Sequence, residues 1–226
     1  MSRIQELIEA VTSKYPGDQF FADFEESSRT IPSKRSAYRR YLDALRVLDN
    51  RSWAILKDKA VKHFRDHRPG QLKQGFFNQL NEAFAYRYLV RSGCTGVEMV
   101  PEQASSTADI RYVEAGEIKH CEVKTLGISN EEISRRGSAD VFTNAYVKLN
   151  PGFFRKLVSD IDDAEAQIAA HRTGGLVYLV VLFDDIALDY YSEYRQEIIA
   201  ICPKRTIHDV YIKMGLYGNR RVRLTR

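Results

Sequence analysis

Residues 107–126 read TADIRYVEAGEIKHCEVKTL. Two runs of alternating residues flank Ala115-Gly116, and a two-residue loop between such runs predicts a β-hairpin. Alanine is not a favoured residue at the first position of a type I′ turn, where φ must be positive. With this loop Glu114 faces Glu117, Arg111 faces His120 and Asp109 faces Glu122. Side chains alternate along a strand, so Thr107, Asp109, Arg111, His120, Glu122 and Lys124 share one face. Ala108, Ile110, Tyr112, Cys121 and Val123 share the other, which is the expected packed face. A shift of one residue would scatter both sets.

Two carboxylates directly opposite each other would have Cβ atoms about 4.5–5.5 Å apart and repel. A cation between them removes the repulsion. Hard ions such as Mg²⁺ take oxygen ligands and retain several waters, so two carboxylates and a backbone carbonyl form an adequate set. Lys124, two residues beyond Glu122 on the same face, could orient a water or neutralise charge growing on a phosphate. Asp109 followed by Glu122-Val123-Lys124 is therefore a compact set for phosphodiester hydrolysis. The same residues also suit an ordinary exposed pair, and the pattern is short.

Outward from the hairpin, residues 72–91 have helical spacing, with Phe77, Leu80, Phe84 and Leu89 in the apolar stripe and Ser92-Gly93 as the stop. Val97–Val100 is strand-like. The polar stretch 127–152 reads mostly as loop, and 153–171 as a helix ended by Gly174-Gly175. LVYLVVLF, 176–183, is the run expected of a strand buried on both faces. A helix near 190–201 and a strand at 210–214 complete the order. Upstream, 2–14 reads as a short amphipathic helix, 15–31 as a connector, 34–48 as a helix capped by Ser33, and 52–67 as another helix. The pattern predicts an α/β or α+β chain with a mixed sheet, divided into a basic helical N-terminal region, 1–70, and a core, 71–226, with a basic C-terminal tail.

Net charge is only +4, yet residues 27–75 hold thirteen Lys/Arg against four Asp, and 204–226 hold seven against one Asp. Basic ends around an acidic middle suit a polyanion partner. Candidate phosphate contacts are Arg35, Arg39 and Arg40 in the N-terminal region, Arg135 and Arg136 in the long loop, and Arg220, Arg221 and Arg223 in the tail. His63 and His67 have a zinc-compatible spacing but no evident third ligand. The scattered Cys94, Cys121 and Cys202 fit neither a disulfide framework nor a zinc cluster. No run of about 18 apolar residues occurs, and the first residues do not form a signal peptide. A soluble, cytoplasmic protein that does not enter a membrane is the expectation.

The sequence resembles the PD-(D/E)XK nuclease superfamily, which includes restriction endonucleases and Holliday-junction resolvases. The resemblance covers about 72–185 and rests on Asn81-Glu82 in the first helix, Thr107-Ala108-Asp109, Glu122-Val123-Lys124, and Gln167 on the helix before the apolar strand. It implies a restriction-endonuclease-like mixed central sheet flanked by helices. It also implies a Mg²⁺ site, with Mn²⁺ as a substitute, formed by Asp109, Glu122 and the Val123 carbonyl, with Glu82 as a further ligand and Lys124 assisting the water. Ala108 stands where the family often has proline, and Gln167-Ile-Ala-Ala-His171 departs from the Gln-x-x-x-Tyr of one branch. The implied activity is endonucleolytic hydrolysis of DNA, with a homodimer as the implied assembly. A non-catalytic DNA-binding module on the same fold and an RNA-cleaving nuclease are the alternatives.

Overall fold

The computed structural model describes residues 2–67, 71–103, 107–127, 149, 151–182, 191–202, 208–215 and 220–224. Among them are seven helices: α1 (Arg3–Lys14), α2 (Phe24–Thr30), α3 (Pro32–Leu45), α4 (Asn50–Lys62), α5 (Gln74–Arg91), α6 (Pro151–Ala170) and α7 (Tyr191–Ile201). The strands are β1 (Thr95–Met99), β2 (Ile110–Glu114), β3 (Glu117–Leu126), β4 (Gly175–Val181), β5 (Asp209–Met214) and β6 (Arg221–Leu224). They form one mixed six-stranded sheet in chain order, so the chain is α/β. No helix among the described residues is long and apolar enough to cross a membrane.

The chain divides into two compact units, 1–104 with 109–117, and 105–108 with 118–226. In the first, β1 and β2 pair antiparallel, with Met99 opposite Ile110. Helix α5 is buried around much of its circumference, including Phe76, Leu80, Asn81, Glu82, Ala83, Phe84 and Tyr86. Its N-terminal end joins an aromatic cluster: the Phe64 ring lies 5.4 Å from Phe76 and 5.8 Å from Phe21. Asp49 caps α4 by accepting from the Ser52 N–H at 2.9 Å. The same carboxylate accepts from the Tyr86 hydroxyl at 2.9 Å, which fixes α4 to α5.

In the second unit β3, β4 and β5 run parallel, and β6 is antiparallel to β5. Every residue of β4 from Leu176 to Val181 is buried, as a strand covered on both faces requires. Phe154, Leu157, Ile161, Ala164 and Ile168 repeat at helical spacing along α6. They form one core with Val177, Leu179, Val181, Val210 and Ile212 and with Tyr194 and Ile198 of α7. Gly175 is required where β4 begins, since a Cβ there would come within 2.0 Å of the His120 carbonyl oxygen and 2.9 Å of Ile168.

Some local expectations need correction. The stretch taken as a connector contains α2. Ser33 does not cap α3: Ile31 holds the N-cap position, and Pro32 starts the helix with its fixed φ and its missing N–H. Helix α4 begins earlier and stops at Lys62. The basic tail contributes β6, with Val222 and Leu224 buried and Arg221 and Arg223 exposed. Most of the expected 127–152 loop lies outside the described residues.

Candidate active site

The loop between β2 and β3 has φ of +52° at Ala115 and +81° at Gly116. Both central residues are thus left-handed, as a type I′ turn demands, even with alanine in the first place. Asp109 precedes β2 and belongs to the first unit, while Glu122, Val123 and Lys124 lie on β3 in the second.

Within the first unit Asp109 and Glu82 meet around a residue that the sequence reading passed over. The Lys59 ammonium lies 2.7 Å from each Glu82 oxygen and 2.9 Å from Asp109 Oδ1. The side chains of Lys59, Glu82 and Asp109 are 8%, 4% and 16% exposed. Burial disfavours the Lys59 charge, but attraction from Glu82 and then Asp109 outweighs it, and the pKa rises above its ordinary value. Next to Glu82, Asn81 accepts from the Tyr41 hydroxyl at 3.0 Å. A sequence signal for Lys59 did exist. It falls on the apolar stripe of α4, three residues beyond Leu56, where a lone lysine must find a partner inside.

Within the second unit Lys124 donates to Glu122 Oε1 at 2.8 Å and to Gln167 Oε1 at 3.2 Å. Glu122 is buried, with 6% of its side chain exposed, and Lys124 retains 24%. An ordinary solvated surface pair is therefore not what these residues form. Val123 pairs with Tyr178 across the parallel ladder, and Gln167 reaches the site from α6. His120 is stacked on His171 with ring centroids 4.0 Å apart and meets Thr173 at 2.8 Å. The Ala108 N–H donates to His171 Nε2 at 3.2 Å. These contacts give the two histidines a structural task at the ends of β3 and α6.

The structure thus gathers Glu82 with Asp109, and Glu122 with Lys124 and Gln167, each set inside one unit. Among the described residues no group of three or more His, Cys, Asp or Glu side chains is arranged to hold a metal. The donors available are nonetheless carboxylates, which fit a hard oxygen-seeking cation rather than zinc. His63 meets Asp66 at 2.6 Å and Glu102 at 3.3 Å, and His67 turns to the Arg65 carbonyl, so the two do not form a zinc pair. Of the candidate phosphate contacts, Arg35, Arg39, Arg221 and Arg223 are exposed, while Arg40 and Arg220 are half-buried. Arg223 is ion-paired to Asp209 at 2.9 Å. Arg135 and Arg136 lie outside the described residues. No protein-family model matches this chain, and neither a curated protein nor a solved structure does.

Proposed function

We propose that this chain is a metal-dependent nuclease that hydrolyses DNA phosphodiester bonds endonucleolytically, with a PD-(D/E)XK-like, restriction-endonuclease-like core. The observation that carries the proposal is buried Glu122 on β3, paired at 2.8 Å with half-buried Lys124, which Gln167 also holds. Burying a carboxylate and an ammonium is costly and seldom adds net stability over apolar residues of similar shape. Such a pair on a strand that could have carried leucine or valine points to chemistry.

On β3, Glu122 and the Val123 carbonyl would hold Mg²⁺, or Mn²⁺ in its place. The bound ion supplies a Lewis acid for the phosphoryl oxygen and lowers the pKa of water. Lys124, anchored by two acceptors, orients the attacking water and offsets charge gathering on the phosphate. Gln167 fixes the direction of the ammonium. Exposed Arg35, Arg39 and Arg221 supply backbone contacts that carry no sequence information.

The test is nicking of supercoiled plasmid in Mg²⁺ by the wild-type chain and by Glu122→Ala. Loss of nicking, with the far-ultraviolet circular dichroism unchanged, is the expected result. Full activity in the variant removes the site. RNA run beside the DNA assigns the substrate.

One observation favours a second reading: lysines already compensate the carboxylates in both units. A DNA-binding module without catalysis would retain that arrangement. Salt-sensitive DNA affinity with no metal uptake in calorimetry identifies it.

A further inference from the structure

The Lys59 ammonium has three N–H donors and no acceptor. Around it stand three carboxylate oxygens, two from Glu82 at 2.7 Å and one from Asp109 at 2.9 Å. Each donor therefore has one oxygen. Two carboxylates converging on one point are also a set that a hard divalent cation accepts. The cradle lies in the first unit alone, built from α4, α5 and the residue before β2, and is nearly closed to solvent.

Buried Glu82 and half-buried Asp109 flank the same ammonium and need a positive charge between them, since attraction and repulsion both strengthen away from water. Lysine supplies it through a covalent tether, at a local concentration no free ion matches. Both Glu82 oxygens accept from that lysine at 2.7 Å.

We infer that Lys59 is a resident cation occupying a position that would otherwise take a divalent ion. Glu82 is then the residue that positions the ammonium and not a metal ligand. Only the accompanying statement, that wild type takes one exchangeable ion at Glu122, rests on the nuclease reading. The occupied cradle itself does not.

The experiment counts Mn²⁺ bound per chain by calorimetry and by electron paramagnetic resonance. Wild type is expected to bind one ion and Lys59→Met two, with Lys59→Met/Glu82→Gln returning to one because the cradle has lost a carboxylate. An unchanged count and affinity in Lys59→Met overturns the inference while leaving the nuclease reading in place. Two ions in wild type also overturns it. No ion in wild type but one in Lys59→Met upholds the inference and removes the nuclease reading.

A measurement on wild type covers failure of the variant to fold. The ¹⁵Nζ resonance of Lys59 is followed while Mg²⁺ is added to saturation. A slowly exchanging ammonium signal that persists supports residence. Its loss shows displacement by the ion and overturns the inference.

Discussion

Lys124 Nζ lies 2.8 Å from Glu122 Oε1, with the glutamate side chain 6% exposed. Removing one member leaves the other charge without its nearest counter-charge. Lys124→Met is expected to cost about 2 kcal/mol, within the range for stranding a buried polar group. Adding Glu122→Gln should restore most of that loss. Urea unfolding of both single variants and the double gives the coupling directly; additive losses would show that the pair is not energetically linked.

Asp49 offers a pH-dependent counterpart. Burial alone would raise its pKa, but bonds from the Ser52 N–H, the Ser52 hydroxyl and the Tyr86 hydroxyl overcome this and hold it below the usual carboxylate range. A depressed folded-state pKa contributes stability above the unfolded value of about 3.9 and loses it as pH falls through the folded value. Asp49→Ala should therefore cost about 1–2 kcal/mol at neutral pH, and the gap to wild type should shrink in more acidic solution. A gap that widens on acidification contradicts this.

Gly175→Ala places a methyl group where the His120 carbonyl oxygen lies within 2.0 Å of the added carbon. Backbone on the partner strand cannot move aside as a flexible side chain would. The expected loss is ~3 kcal/mol or more, which corresponds to a fall in Tm of roughly 6–12 °C. A scan within 1 °C of wild type, to order of magnitude, would mean that β3 and β4 yield easily there.

Ala115 holds a φ of +52° without the freedom of glycine or the tolerance of asparagine. Ala115→Asn creates the Asn-Gly pair favoured in this turn. A gain of about 0.5–1 kcal/mol is expected, seen as a higher denaturant midpoint at unchanged m.

Arg35 and Arg39 are exposed and one turn apart on α3. If they contact phosphates, replacing both by glutamine should weaken DNA binding at all sequences and reduce the salt slope by about 2. Arg223, already paired with Asp209 at 2.9 Å, should change the slope less.

Much of the fold was legible because the signals were local. LVYLVVLF could be read as a buried strand since apolar residues filled it without alternation, and its residues 176–181 lie in β4. The α6 stripe and the Ala115-Gly116 turn were visible for the same reason. The boundaries at α2, α3 and β6 were less so. Strand β6 alternates arginine with Val222 and Leu224 over only four residues, and its dense positive charge obscured that period of two. In the candidate site, Glu122 and Lys124 stand two apart on one strand, a nearness the sequence shows, while the contact of Lys124 with Gln167 joins β3 to α6 across 43 residues. Lys59 could not be placed beside Glu82 and Asp109 by spacing, because 23 and 50 residues of chain separate it from them. Tertiary packing alone creates that contact.

The pairing of buried Glu82 and Glu122 with tethered ammonium groups has a consequence for handling the protein. Folding need not wait for an ion to arrive, so chelators added during purification should leave the heating curve where it was. The polypeptide could then persist intact through metal scarcity, with any ion acting on reactivity alone and never as a scaffold.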